Sequence, residues 1–144
     1  VFFGIIPVCV SYYIQLHTFT LEVFVASIAC GLVIDSLLII NNYRDRDTDR
    51  DTGKRTIVVR FGENTGLYAY LMTGVSACLI GGVFILENHI LAFVLPLIYL
   101  VLHFFTYMKI KRIHRGKALN ICLGETARNM FIYGICVSAG ILLA

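Results

Sequence analysis

Long apolar runs alternate with short polar segments along this chain. The first run is under way at Val1 and ends near Gln15. The longer runs cover residues 21–42, 67–86, 90–108 and 126–144. A helix of about twenty apolar residues matches the hydrocarbon thickness of a bilayer, whereas the strands of a barrel would give shorter, alternating segments. The pattern therefore predicts an all-α fold, a polytopic transmembrane helix bundle with about five transmembrane helices.

The composition agrees with a membrane protein. Hydrophobic residues make up 58% of the 144 positions and charged residues only 15%, whereas soluble domains carry about 25% charged residues. The mean hydropathy is +0.81. No repeat or low-complexity tract divides the sequence, so we expect residues 1–144 to form a single transmembrane domain. Its first apolar run would span roughly 22 Å, short of the ~30 Å hydrocarbon core, which predicts an N-terminally truncated fragment.

Eleven of the twelve Lys and Arg residues lie in alternate connections between the apolar runs, and the twelfth, Arg128, lies at the start of the last run. Residues 43–66 contain six Lys or Arg and residues 109–117 contain five, while the turns at 17–20 and 87–89 contain none. Because an excess of Lys and Arg marks cytoplasmic loops, both basic loops are expected on the cytoplasmic side. The sequence thus predicts a multi-pass protein of the cell inner (cytoplasmic) membrane.

The first basic loop mixes acids and bases closely. Its charged core consists of Arg44, Asp45, Arg46, Asp47, Asp49, Arg50 and Asp51, followed by Gly53, Lys54 and Arg55. Carboxylate oxygens hold a magnesium-like cation, and Arg and Lys hold the phosphate oxygens that such a cation bridges. The mixture indicates a site for a phosphate ester with its metal. A loop that needs only solubility has no reason to place Asp at i and i+4 before a Gly-Lys-Arg turn.

A polar stripe continues from this loop into the preceding span. Asp35 lies near the middle of that span, where an ionisable side chain costs about 2.5–3.5 kcal/mol on insertion scales and usually faces a polar interior. At 100° per residue, Asp35, Asn42 and Asp49 lie within about 40° of one another, and Asp45 within about 80°, if the helix continues. These four residues, together with Asn41, predict the wall of a cavity that reaches the cytoplasmic end of the helix. For Asp35, a structural bond to a neighbouring helix is an open alternative.

The residues of the motif resemble a known family. The sequences N-N-Y-R-D at 41–45, G-K-R-T at 53–56 and V-R-F-G at 59–62, with Asp49 between them, resemble the second aspartate-rich motif of the UbiA-type intramembrane prenyltransferases. They are most similar to the branch that prenylates 1,4-dihydroxy-2-naphthoate in menaquinone biosynthesis. Leu119-Asn120, Thr126-Ala127 and Tyr133-Gly134 are similar to the last loop and helix of that branch. The family's first aspartate-rich motif has no match here, so the resemblance implies the C-terminal part of a nine-helix UbiA-type fold.

The resemblance implies a Mg2+-dependent prenyltransferase. A polyprenyl diphosphate would donate its prenyl group to 1,4-dihydroxy-2-naphthoate, which would lose carbon dioxide to give demethylmenaquinone. The implied catalytic residues are Asp45, Asp49 and Lys54, with Asp45 and Asp49 as metal ligands. The implied diphosphate-binding residues are Arg44, Arg50, Lys54, Arg55 and Arg60, while Asp35, Asn41 and Asn42 would line the cavity. The expected partners are the two substrates and the lipid bilayer, without nucleic acid, and the fragment alone is expected to be inactive.

Two other functions stay open. The same chemistry on another aromatic acceptor, such as 4-hydroxybenzoate, is the alternative that the motif resemblance alone does not settle, because acceptor choice would depend largely on the absent part. A transporter segment would use Asp35 and the basic loop as an ion pathway, but its expected Gly or Pro interruptions are limited to Pro96 and Gly81-Gly82. The four histidines lack metal-ligand spacing, and the five single cysteines are expected to be small buried hydrophobes.

Overall fold

The computed structural model describes residues 2–143 and shows helices and turns, with no strand in that range. The helices are α1 (Phe2–Leu16), α2 (Leu21–Arg44), α3 (Arg46–Asp51), α4 (Ile57–Phe61), α5 (Glu63–Ile80), α6 (Val83–Leu86), α7 (Ile90–Val94), α8 (Leu97–Ile113) and α9 (Leu119–Leu142). The all-α prediction is confirmed. The first and last residues of the predicted domain, Val1 and Ala144, lie outside the described residues.

Three stretches of residues 2–143 are long and apolar enough to cross a membrane. They are Leu21–Arg44, Glu63–Leu86 and Ile90–Ile113. Helix α1 is apolar but shorter, and α9 carries Glu125 and Arg128 in its first half. The predicted helical membrane bundle is therefore confirmed, with three of the five predicted spans meeting both criteria.

The two basic loops are shorter than the sequence predicts. Residues 43–66 were expected to form a loop, but they contain α3, α4 and the start of α5. The second loop, expected over residues 109–125, is reduced to residues 114–118 between α8 and α9. The difference arises because a charged residue ends an apolar run without ending the helix, since Arg, Lys and Glu are good helix formers.

A cap and two glycine turns fold the charged segment back on the bundle. The Thr56 hydroxyl accepts a hydrogen bond from Val59 N (3.3 Å) and begins α4. Gly53 and Gly62 have φ angles of 75° and 90°, a left-handed backbone that glycine adopts without steric cost. Helices α3 and α4 consequently pack against each other and against the end of α2, which places the aspartates beside the rest of the bundle.

Helix α2 packs against α1, α5 and α9, while α8 packs against α5 and α9. One buried cluster supports the charged end of α2 and consists of Ile39, Ile40, Tyr43, Val58, Leu67, Tyr70, Ile110, Leu119 and Cys122. A second cluster deeper in the bundle consists of Ala29, Val33, Ala77, Cys78, Tyr99 and Tyr133. The charged segment therefore rests on a packed apolar floor rather than extending into solvent.

Candidate functional site

Two polar segments meet at one end of the bundle. They are the Asp-rich segment, residues 41–56, and the α8–α9 connection, residues 114–118. Arg46 Nη2 donates to His114 O (2.9 Å), and Arg44 Nη1 donates to Asn120 Oδ1 (3.0 Å) at the start of α9. These contacts confirm that both basic segments lie at the same end of the bundle. The side of the membrane that this end faces stays a prediction.

Asp45 forms a two-pronged ion pair with Arg44. Arg44 Nε and Nη2 donate to Asp45 Oδ1 and Oδ2, each over 2.6 Å, and Nη2 also donates to Asn41 Oδ1 (2.8 Å). The hydrogen bonds from Arg44 lower the pKa of the Asp45 carboxyl, against the opposing effect of burial. Asp45 is therefore ionised at neutral pH. Its side chain is 37% exposed, so a ligand can approach it.

Asp49 follows Asp45 by one helical turn. Asp49 N donates to Asp45 O (2.8 Å), and Asp45 N donates to Asn41 O (3.0 Å), so the i to i−4 hydrogen bonds continue although the regular helix is interrupted at Asp45. Asp49 Oδ1 accepts a hydrogen bond from Lys54 Nζ (3.2 Å). Asp49 Oδ2 is buried and has no hydrogen-bond partner. A buried carboxylate oxygen without a partner is costly, which makes it the position where a donor or a cation would bind.

The carboxylates of Asp45 and Asp49 offer only part of the ligand set that a hard divalent cation needs. Carboxylate oxygens are the ligands that Mg2+ prefers, and Asp49 Oδ2 offers one without a competing hydrogen bond. Across residues 2–143, however, no three His, Cys, Asp or Glu are grouped closely enough to hold a metal ion. Asp45 and Asp49 could therefore supply only some of the ligands. Mg2+ is commonly bound through one or two carboxylates together with substrate phosphates and water.

Four exposed cations lie close in sequence to the two carboxylates. Arg50, Arg55 and Arg60 are exposed, and Lys54 is 60% exposed although it contacts Asp49. In the part of the chain that the structure describes, none of the three arginines forms an ion pair. Their guanidinium groups are consequently available for phosphate oxygens, to which arginine binds in a bidentate manner.

Arg46 is a structural centre of this end of the bundle that the sequence does not single out. Its side chain is 3% exposed, lies over the Tyr43 ring at 4.5 Å and pairs with Glu63 Oε2 at 3.0 Å. Arg46 Nη1 also donates to Tyr43 O (2.6 Å), while Nη2 donates to His114 O. Arg46 thus joins the end of α2, the start of α5 and the α8–α9 connection. The alternation of Arg and Asp in the sequence does not distinguish the buried Arg46 from Arg50, because Arg50 has the same kind of neighbours and is exposed.

Asp35 and Asn41 line the same cavity. It has a volume of about 410 Å3, and its other walls are apolar side chains of α1, α2 and α9. Asn42, the third predicted cavity residue, is half-buried but does not belong to this lining. The role of the three residues toward a substrate stays a prediction.

The buried His103 is fully partnered in the interior. His103 Nε2 donates to Tyr70 O (2.8 Å), because a carbonyl can only accept, and Nδ1 then accepts from the Tyr99 hydroxyl (3.2 Å). The ring also stacks on Tyr70, with the ring centroids 4.3 Å apart. The nearby Tyr70 hydroxyl shares a hydrogen bond with Thr126 Oγ1 (2.8 Å). His103 therefore has a packing role in the bundle interior.

Comparisons with protein families and with curated proteins both find prenyltransferases. A family model described as the UbiA prenyltransferase family matches residues 1–135 of the chain. The chain is 46% identical over 81 residues to the 1,4-dihydroxy-2-naphthoate octaprenyltransferase of Escherichia coli (strain K12), a stretch that covers 55% of this chain and 26% of that protein. It is 37% identical over 78 residues to the protein of the same name from Haemophilus influenzae (strain ATCC 51907 / DSM 11121 / KW20 / Rd), covering 54% and 25%. The matched stretch thus spans about a quarter of these curated relatives. No solved structure significantly matches the chain.

Proposed function

Because the chain belongs to the UbiA prenyltransferase family, we propose that it takes part in transferring a polyprenyl group from a polyprenyl diphosphate to 1,4-dihydroxy-2-naphthoate. Two relatives named for that acceptor support the choice of substrate. The single observation that carries the chemistry is the buried Asp49 carboxylate, which has one oxygen on Lys54 and the other without a partner. It lies at the end of an apolar bundle, where a lipid-borne diphosphate would present its head group.

The first step breaks the bond between C1 of the prenyl chain and the diphosphate oxygen. The electron pair leaves with the diphosphate, and an allylic cation remains. Negative charge therefore grows on the leaving group, and fixed cations in a site of low dielectric stabilise it strongly. Lys54, Arg50, Arg55 and Arg60 are the cations that would bind the diphosphate oxygens, because all four are exposed and Lys54 contacts Asp49. Arg44 is a weaker candidate, since Asp45, Asn41 and Asn120 already engage it.

Asp45 and Asp49 would hold a magnesium ion, whose charge would assist departure of the diphosphate. Asp49 would contribute Oδ2, the oxygen that lacks a hydrogen bond. Asp45 is ionised and approachable, and Arg44 fixes its orientation. Lys54 has a second role beside the carboxylate: it holds Asp49 Oδ1 and so directs Oδ2 away from itself.

The second step forms the carbon–carbon bond. The carboxylate-bearing carbon of the electron-rich naphthoate ring attacks the allylic carbon, and the ring becomes cationic. The bond to the carboxylate then breaks, its electron pair restores the aromatic ring, and carbon dioxide leaves. The product is the reduced form of demethylmenaquinone. The apolar helices would accommodate the isoprenoid tail and exclude water from the cation.

Acceptor competition tests this proposal. The protein expressed from its complete coding sequence, in membrane vesicles with Mg2+ and a radiolabelled polyprenyl diphosphate, is offered 1,4-dihydroxy-2-naphthoate or 4-hydroxybenzoate. We expect a labelled lipid only with the naphthoate, together with release of one carbon dioxide per prenyl group. A product with 4-hydroxybenzoate alone would contradict the acceptor assignment. The absence of any prenylated product with either would contradict the reaction class.

A further inference from the structure

Helix α8 carries an exposed apolar stripe along its length. Val101 is 55% exposed, Phe105 65% and Met108 49%, and at 100° per residue the three lie within about 60° of one another. Helix α8 belongs to the Ile90–Ile113 stretch, which is long and apolar enough to cross a membrane. The stripe is therefore an exposed apolar surface on a helix that can cross a membrane.

Two cations continue this stripe at the charged end of the bundle. Arg112 lies within about 40° of all three stripe residues around the helix. Lys111 lies about 20° from Phe104, on the flank of the stripe. Both cations are exposed, and within residues 2–143 neither side chain forms an ion pair. Arg112 is about 10 Å beyond Phe105 along the axis, enough to pass from the hydrocarbon core into the head-group region.

The opposite face of α8 packs into the bundle. Its buried residues are Tyr99, His103, Thr106 and Ile110. Ile110 belongs to the apolar cluster under the Asp-rich segment, and Arg112 is about 160° away from it around the helix. Arg112 consequently points away from the side of α8 that supports Asp45 and Asp49.

We propose that Lys111 and Arg112 bind the phosphate of an anionic phospholipid whose acyl chains lie along the exposed stripe of α8. An anionic leaflet attracts basic residues at its surface with an energy equivalent to about a fivefold preference per cation. Arginine adds bidentate hydrogen bonding to a phosphate, and lysine adds a compact charge. The site is separate from prenyl transfer and does not depend on it.

The geometry favours a phospholipid over a free diphosphate. Both offer phosphate oxygens, but only the phospholipid also covers Phe105 and Met108, which lie on the same face as Arg112. A soluble anion would leave that apolar surface uncovered. The lipid thus accounts for the cations and for the stripe together.

Native mass spectrometry tests the proposal. The protein expressed from its complete coding sequence is released from nanodiscs that contain equal amounts of phosphatidylglycerol and phosphatidylcholine, and the retained lipids are counted. We expect retained phosphatidylglycerol to exceed phosphatidylcholine at least about fivefold. The double variant Lys111→Gln/Arg112→Gln should bring the ratio close to one, while the charge-preserving Lys111→Arg/Arg112→Lys should keep it.

Two comparisons decide whether the site is specific. The control Arg115→Gln/Lys117→Gln removes the same charge from the exposed α8–α9 connection, off the stripe, and should leave the ratio unchanged. An equal loss in both double variants would overturn the proposal in favour of diffuse charge attraction. An excess of inorganic diphosphate that displaces the phosphatidylglycerol would overturn it in favour of a site for a soluble anion, and an unchanged ratio in Lys111→Gln/Arg112→Gln would overturn it outright.

Discussion

Lys54 Nζ donates to Asp49 Oδ1 over 3.2 Å, while the second oxygen of the same carboxylate is buried without a hydrogen-bond partner. The Gly53 turn makes the pair possible, because its positive φ brings the chain back over α3 and lets Lys54 N donate to Asp49 O (2.8 Å). One carboxylate thus has a fixed cation on one side and a position for a ligand on the other. A diphosphate bridged to the carboxylate by a divalent ion would use both.

The topology can be tested by labelling from each side of the membrane. The variants Thr52→Cys and Lys117→Cys lie in the two basic segments, which the Lys and Arg distribution assigns to the cytoplasm. A membrane-impermeant thiol reagent should label both only in inverted vesicles. The control Asn88→Cys, in the exposed turn between α6 and α7, should react only from the outside of intact cells. Labelling of Thr52→Cys in intact cells would contradict the predicted topology and indicate the opposite orientation.

Gly74 and His103 form a contact that leaves no room for a methyl group. A Cβ at Gly74 would overlap the His103 ring. The ring cannot move away easily, because hydrogen bonds to Tyr99 and Tyr70 hold both of its nitrogens. Gly74→Ala should therefore lower the free energy of unfolding by about 1–3 kcal/mol, measured by thermal unfolding in detergent. The control Gly124→Ala, where nothing lies within 4 Å, should be neutral or stabilising by up to about 1 kcal/mol. Equal effects at both positions would contradict the packing.

Arg46 should be more important for stability than the other arginines of the Asp-rich segment. Arg46→Gln removes the guanidinium that bonds His114 O and pairs with Glu63, and the hydrogen bonds of a buried charged group contribute about 1.5–3 kcal/mol. We expect a loss of about 2–3 kcal/mol in the free energy of unfolding. Arg50→Gln, at an exposed position, should change it by less than about 0.5 kcal/mol. Similar values for the two variants would show that Arg46 does not join the three segments.

The spans could be predicted from the sequence because the length of a continuous apolar run decides them. Helix α2 was expected over residues 21–42 and is found over Leu21–Arg44. The ends of the helices could not be predicted in the same way, since hydropathy reports where the bilayer ends and not where the backbone hydrogen bonds end. Helix α9 accordingly begins at Leu119, seven residues before the predicted start at Thr126.

The site could be predicted only as far as local spacing determines it. Asp45 and Asp49 are four residues apart, and the backbone hydrogen bond between them follows from that spacing on a helix. The pairing of Arg44 with Asn120 and the burial of Arg46 depend on contacts between segments far apart in the sequence. Such contacts leave no periodic pattern, so Arg46 could be recognised only in the folded chain.

The central claim is that Asp45 and Asp49 bind the metal and its diphosphate, and a comparison of three aspartate variants tests it most directly. Asp45→Asn, Asp49→Asn and Asp47→Asn each remove one charge at nearly constant size, but Asp47 is 56% exposed and only approaches Arg115, at 4.0 Å. It is the matched control.

The measurement is prenyl transfer at saturating polyprenyl diphosphate over a Mg2+ titration, with the protein expressed from its complete coding sequence. We expect Asp45→Asn and Asp49→Asn to lower the rate at least about a hundredfold, the scale of one lost preorganised electrostatic contact, and to require more Mg2+ for half-maximal rate. Asp47→Asn should stay within a few-fold of the parent protein. Equal and mild losses in all three variants, with an unchanged Mg2+ requirement, would contradict the assignment and leave only the overall charge of the segment as the active feature.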